Sequence, residues 1–316
     1  MFVDESVFSL DAIAPEVREF NDELERLLAE APDITRLPPQ DVRDARERGE
    51  SIFGPIRLSD RAADRYISGP SSRIRLRVHV SEGARGVYLH IHGGGWVLGA
   101  AHHRDLMLDR LADAASVTVV SVDYRLAPEH PYPAGPDDCE LTALWLVENC
   151  VAEFGTDRLV IGGESAGAHL AVVTLLRLRD RHGDPGFRGA NLAYGAYDLS
   201  GTPTAANWGK RNLILSEPII RWFADHFVPA ELRREPDVSP LYADLQGLPP
   251  ALFTVGTLDP LLDDTLFMAQ RWIAAGNETD LALYAGGVHA FDYFEEHPLA
   301  EGALERTHRF IQSRTE

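Results

Sequence analysis

Five runs of this chain are apolar on both faces: VYLHIH at 87–92, VTVVSVD at 117–123, RLVIGG at 158–163, ANLAYGAY at 190–197 and PALFTVG at 250–256. A strand that is apolar on one side can turn the other to water. One that is apolar on both sides must be covered twice, and helices between successive strands supply that cover. Helical stretches do separate these runs, near 103–114, 137–153, 166–181 and 262–275. The pattern predicts an α/β fold with a mostly parallel central sheet flanked by helices. Residues 73–80 differ, with Ile74, Leu76, Val78 and Val80 alternating against Arg73, Arg75, Arg77 and His79. That alternation predicts a one-sided strand, antiparallel and early in the sheet.

Two segments fall outside the alternation. Residues 15–30 set Val17, Phe20, Leu24, Leu27 and Leu28 at helical spacing among charged residues, and DVRDARERGE at 41–50 is a second, heavily charged helical stretch. Together they predict a helical arm over 1–50 whose apolar stripe needs a partner. Residues 198–240 carry no strand pattern but hold Trp208, Ile214, Leu215, Ile219, Ile220, Trp222, Phe223 and Phe227. So long and aromatic an interval is a second cap segment rather than a loop, and its Trp208, Trp222 and Phe223 are the expected partners of the arm stripe. The expected organisation is a core over 51–197 and 241–316, capped by 1–50 and 198–240. No internal repeat or flexible linker separates the two.

Composition narrows the function classes. Thirty basic residues against 49 acidic ones give a net charge of −19, a field that repels nucleic acid and anionic membrane surfaces. Of those thirty, 29 are arginine and one is lysine, Lys210. It is followed by Arg211, so it completes no phosphate-binding GxxxxGK[ST] loop, and few lysines remain for Schiff-base chemistry. Cys139 and Cys150 lie eleven residues apart on one predicted helix. That is about 16 Å along its axis, beyond the roughly 7 Å between Cα atoms that a disulfide spans. The opening MFVDESVFSLDAIAPEV carries acids where a secretory signal carries basic residues, which predicts a cytoplasmic protein. The apolar stretch 159–176 is interrupted by Glu164, Ser165 and His169 and is expected to be a strand, a turn and a helix rather than a membrane span.

Gly163-Glu164-Ser165-Ala166-Gly167 stands between an apolar strand and a helix, the context a nucleophile elbow requires. A serine hydroxyl needs a base, and the base an orienting acid. Both follow on loops after strands: Asp259 after ALFTVG and His289 after LALYAG. Carboxyl ends of strands are where an α/β sheet presents its chemistry. Asp263 and Asp264 are rival acids that helix N-terminal charge stabilisation explains without catalysis, and Asp259 itself could simply cap that helix. After the first apolar run comes His92-Gly93-Gly94-Gly95-Trp96, where backbone amides can approach a carbonyl oxygen closely. Gly94, Gly95 and Ala166 are the expected oxyanion donors, and His92 is expected to tie the loop down. Metal ligation by His90, His92, His102 and His103 is set aside because no acid-rich or cysteine set accompanies them.

Five ordered motifs, HGGGW, DYRLAPEHPYPA at 123–134, GESAG, DPLLDD at 259–264 and GVHAF at 287–291, together resemble the hormone-sensitive lipase-like, or bacterial family IV, esterases. The resemblance spans about residue 85 to the end. It implies an α/β-hydrolase with a helical cap, carboxylesterase activity on short to medium acyl chains, Ser165, Asp259 and His289 as the triad, and the HGGG glycines with Ala166 as the oxyanion hole. Glu164, where members commonly carry Asp or Thr, and Asp264, where the acidic pair commonly ends in Glu, depart from the pattern. Both are chemically mild and bear on subfamily and specificity rather than on the reaction. Trp96, Trp208 and Phe223 are candidate substrate contacts, and Arg125 and Glu129 are available for internal pairing in a scaffold turn. The expected partner is a small ester, with no metal or organic cofactor, nucleic acid or membrane, and with a possible homodimer. The rivals are an amidase or formamidase on the same triad, and a non-catalytic small-molecule receptor of the same fold, which an intact His289 disfavours.

Overall fold

The computed structural model describes residues 4–69, 73–183 and 186–316, so residues 1–3 of the expected arm, and 70–72 and 184–185 of the expected core, lie outside it. Among the described residues one sheet contains β1 (Ala62–Ser68), β2 (Arg73–His79), β3 (Gly86–Ile91), β4 (Val117–Asp123), β5 (Leu159–Glu164), β6 (Gly189–Ala193), β7 (Ala251–Leu258) and β8 (Thr279–Val288). Their spatial order is β1-β2-β4-β3-β5-β6-β7-β8. β2 runs antiparallel to both β1 and β4, and the pairings from β4 through β8 are parallel. The chain steps from β3 outward to β4, then returns across it to β5. This reversal opens a crevice at the carboxyl end of β3, where such sheets bind their ligands.

The helices are α1 (Pro15–Glu30), α2 (Pro39–Glu47), α3 (Asp105–Ala115), α4 (Ala134–Phe154), α5 (Ala166–His182), α6 (Pro203–Asn207), α7 (Glu217–Phe227), α8 (Leu262–Ala274) and α9 (Ala300–Thr315). On one sheet face Leu108 and Leu111 of α3 and Phe310 and Ile311 of α9 meet Tyr88, Val119 and Val160. On the other, Leu146 of α4, Leu170 of α5 and Met268 and Trp272 of α8 meet Leu89, Val120, Ile161 and Phe253. Burying each such side chain contributes about 1.5–3 kcal/mol, which fixes both layers on the sheet. Cys139 and Cys150 are buried free thiols of α4.

Three strand expectations need correction. β1 was not foreseen, because it is an edge strand whose Ile67 alone is buried, so it lacks an apolar period. β2 is not one-sided. Val80 lies past its end and is exposed, while His79, expected outside, is fully buried with Nδ1 2.8 Å from Asp109 Oδ1. The cause is α3, which covers the basic face and pairs Asp105 with Arg77 at 2.5 Å. The run 190–197 stops being a strand at Ala193, because Tyr194 takes φ 38° and turns the chain.

The arm stripe does find an apolar partner. Phe20, Leu24 and Leu28 of α1 cluster with Trp208, Leu213 and Ile214 of the insertion, and with Val288 and Phe291 on either side of His289. Leu27 stays exposed, and Trp222 and Phe223 pack with Phe227 in the main core instead of against the arm. Polar ties add to this: Asn21 Nδ2 donates to Gly286 O at 2.8 Å, Arg211 pairs with Glu25 at 2.9 Å beside the exposed Lys210, and Arg43 of α2 donates to Ala127 O at 2.6 Å and pairs with Glu129 at 2.8 Å. Arg125 pairs with Asp138 at 2.8 Å, so Arg125 and Glu129 bind separate partners. Among the described residues no helix is long and apolar enough to cross a membrane.

Candidate active site

The elbow is forced by backbone sterics. Ser165 sits between β5 and α5 at φ 56° and ψ −120°, outside the ordinary regions for an L-residue. A Cβ on Gly163 would lie 2.0 Å from Ile91 O, and one on Gly167 would lie 1.9 Å from the same oxygen. Both glycines are required because β5 and α5 pass too close to the end of β3 for any side chain.

His289 Nε2 is 2.9 Å from Ser165 Oγ, and its Nδ1 is 2.9 Å from Asp259 Oδ2. An ionised carboxylate only accepts, so Nδ1 carries the hydrogen and Nε2 offers its lone pair to the serine hydroxyl. Asp259 is fully buried, and its other oxygen accepts the Leu261 N–H at 2.8 Å. The helix-entry role and the imidazole-orienting role therefore coexist, one on each oxygen.

The glycine loop turns on itself, with Gly94 at φ 109°, Gly95 at φ 59° and Gly94 O accepting from Leu98 N at 2.8 Å. The Gly93 amide donates to Glu164 Oε1 at 3.1 Å and is taken. Among the described residues the N–H groups of Gly94 and Gly95 have no acceptor, and Ala166 opens α5, where helix amides lack intrahelical partners. Ordered donors without acceptors beside a serine suit an oxygen that gains negative charge. His92 does hold the loop: its Nδ1 meets Gly93 O at 2.8 Å, its ring stacks on Tyr124 at 4.2 Å, and burial pushes its pKa down to about 4, so it is neutral.

A family profile described as alpha/beta hydrolase fold matches residues 88–293. The chain belongs to the alpha/beta hydrolase family. Its motifs and its relatives put it in the hormone-sensitive lipase-like, bacterial family IV branch. It is 33% identical over 256 residues to the carboxylic ester hydrolase LipN of Mycobacterium tuberculosis, covering 77% of this chain and 67% of that one. It is 30% identical over 290 residues to an arylesterase of Saccharolobus solfataricus, covering 89% and 86%. Among solved structures, a hyperthermophilic esterase of Pyrobaculum calidifontis superimposes with a TM-score of 0.86 at 31% identity, covering 95% of this chain and 98% of that one.

The remaining candidate residues of the hydrolase occupy three kinds of place. Phe223 of α7 lies on the glycine loop, where a Cβ on Gly95 would fall 2.2 Å from its ring. Trp208 sits in the arm cluster and donates to Arg211 O at 2.8 Å. Trp96 is only 5% exposed. It stacks on Phe227 at 4.7 Å and donates to His169 Nδ1 at 3.0 Å, and these contacts fix its indole beside the glycine loop.

Asp263 and Asp264 do more than stabilise a helix end. Asp264 accepts from the Tyr197 and Asp198 amides at 2.6 and 2.9 Å and from Thr202 Oγ1 at 2.6 Å, while Asp263 accepts from Thr204 N at 2.8 Å. They fasten the start of the insertion to the core, and burial pushes the Asp264 carboxyl up to about 7. The histidines also need a correction, because an acid does accompany two of them. Glu47 of α2 meets His103 Nε2 at 2.8 Å and His102 Nε2 at 3.2 Å. Arg75, which can only donate, is 3.3 Å from His102 Nδ1, so that nitrogen accepts and Nε2 carries its hydrogen toward Glu47. The cluster is thus a hydrogen-bonded junction between arm and core. Sequence reasoning missed a buried charged group behind the elbow, formed by Glu164, His90, Arg104, Asp292 and Tyr293. Its members are scattered over some 200 residues of chain, and no local motif announces them.

Proposed function

We propose that this hydrolase cleaves short- to medium-chain carboxylic esters through an acyl-enzyme on Ser165. The hydrogen-bonded line from Ser165 through His289 to Asp259 carries the reading, with 2.9 Å at each step. His289 takes the serine proton as Oγ attacks the ester carbonyl, and Asp259 holds the imidazole tautomer and stabilises the imidazolium. The amides of Gly94, Gly95 and Ala166 receive the oxyanion, each such donor being worth about 10²–10³ in turnover. His289 then protonates the departing alcohol, and a water molecule repeats the cycle to release the acid. Phe223, lying over the glycine loop, and the arm bound the space for the acyl or alcohol group.

The test is a panel of p-nitrophenyl esters from acetate to octanoate, assayed with and without a serine-directed phosphonate. Mass spectrometry of the inhibited protein should find one adduct, on Ser165. An unmodified Ser165 in an inhibited, active preparation would move the nucleophile elsewhere.

A further inference from the structure

Glu164 directly precedes the nucleophile, yet its carboxylate turns away from the substrate side and is buried. Its two oxygens gather three other segments. Oε1 accepts the Gly93 amide at 3.1 Å and the Tyr293 hydroxyl at 2.6 Å, and Oε2 lies 3.0 Å from His90 Nε2 and 3.8 Å from Arg104 Nη1. Gly93 adjoins the Gly94 and Gly95 amides. Tyr293 follows His289 by four residues in the same turn. His90 stands on β3 and is braced by Ser121 Oγ at 2.8 Å. Burial alone would raise this carboxyl, but His90, Arg104 and Tyr293 outweigh it and hold it well below the usual carboxylate range, so it is ionised.

A second path closes the circuit. Arg104 pairs with Asp292 at 3.2 Å and lies 3.8 Å over the Tyr293 ring. Asp292 accepts from the Tyr194 hydroxyl, and the Tyr194 ring stands edge-on to the His289 imidazole with centroids 4.9 Å apart. One carboxylate therefore touches the nucleophile's own turn, the oxyanion loop and the histidine loop, and Arg104 carries the contact on to the imidazole.

We propose that Glu164 is a positioning residue that locks the oxyanion loop and the histidine loop against Ser165 as one unit. The proposal rests on the esterase reading above. Gly93 contributes no donor of its own to the reaction; its amide is the handle by which Glu164 aims the two amides that follow. Release of that handle misdirects donors that matter only once the carbonyl oxygen is charged, so the loss falls on kcat rather than on KM. A purely structural carboxylate would lower the melting temperature and the fraction of active protein while leaving turnover per active site unchanged.

The experiment compares full-length wild type with Glu164→Ala, Glu164→Gln and Tyr293→Phe. Active sites are counted by phosphonate titration, kcat and KM are measured on p-nitrophenyl butyrate, and affinity is measured for a trifluoromethyl ketone that mimics the tetrahedral adduct. Glu164→Ala is expected to lose about 10²-fold in kcat per titrated site with KM within about threefold, and to lose ketone affinity in parallel. Glu164→Gln keeps an oxygen for Gly93 and Tyr293 and should recover about tenfold of that loss, while Tyr293→Phe should fall by roughly three- to tenfold. Turnover per site within about threefold of wild type in Glu164→Ala overturns the proposal. Should that variant fail to fold, Glu164→Gln and Tyr293→Phe decide: both within about twofold of wild type also overturns it. Failure of the esterase reading is separable, because wild type itself would then neither turn over the ester nor titrate with the phosphonate.

Discussion

The floor of the site and the cap above it are built by different physics. The floor depends on backbone that tolerates no side chain, on positive-φ turns and on a buried carboxylate with four polar neighbours. The cap depends on an apolar cluster of Phe20, Leu24, Leu28 and Trp208, and on half-exposed ion pairs such as Arg211–Glu25. Exposed pairs contribute about 0–1 kcal/mol, and apolar clusters tolerate volume-conserving change. Side-chain variation is thus expensive where the proposed reaction geometry is held and cheap in the arm and the insertion.

The largest expected effects test the floor. Ser165→Ala should remove ester turnover to a trace with the melting temperature nearly unchanged, and His289→Ala should be about as damaging. Because the two act as a unit, the double variant should be no worse than about tenfold below either single one; a multiplicative loss in steady-state kinetics would separate them. Next, Gly167→Ala should give protein that is insoluble or inactive, since its Cβ would meet Ile91 O at 1.9 Å. Gly209→Ala, in the cap with nothing within 4 Å of its Cβ, meets only its own φ of 76° and should cost about 1 kcal/mol in denaturant unfolding. Similar losses in both would erase the contrast.

The acids sharpen it further. Asp259→Asn should lower kcat by about 10³–10⁴-fold, whereas Asp264→Asn should stay within about tenfold, because it holds the insertion and not the imidazole. Its signature lies in stability against pH. With the folded-state carboxyl raised from 3.8 to about 7, the native protein binds the extra proton between those values, so this group's contribution to stability falls as pH rises through that window. Asp264→Asn lacks that titration, and its melting temperature relative to wild type should climb from pH 4 to pH 7 in calorimetry. A constant offset would contradict the raised carboxyl. The arm is tested by selectivity rather than by overall rate. Removing residues 1–45 should reduce kcat/KM for octanoate esters by roughly tenfold more than for acetate, since only the longer chain draws binding energy from that wall. Equal loss on both, in a protein shown by circular dichroism to be folded, would make the arm a stability element alone.

What the sequence made legible follows the same division. The elbow, the glycine loop and the order Ser165, Asp259, His289 are local patterns, each with a steric or chemical reason for its residue types, and the structure brings them within hydrogen-bond distance. The strands apolar on both faces disclosed the two-sided sheet. β1 was illegible because an edge strand buries too little to show a period, and His79 was misplaced because the acids covering it arrive from α3, thirty residues away. The arm's apolar stripe and its partner in the insertion were readable, but not which aromatics meet it, since Trp208 and Trp222 look alike in sequence and face different clusters. Glu164 looked like a mild departure from a motif. Its contacts with Gly93 and Tyr293 exist only after folding.

The exposed Lys210 has a practical consequence. It is the chain's single lysine, and its neighbour Arg211 is the residue that joins the insertion to Glu25 of the arm. Amine-directed dyes near pH 9 would therefore mark one side chain besides the α-amino group, at the seam between the two cap segments. A fluorophore attached there would report whether that seam parts during turnover, with no engineered cysteine and no background labelling of the core.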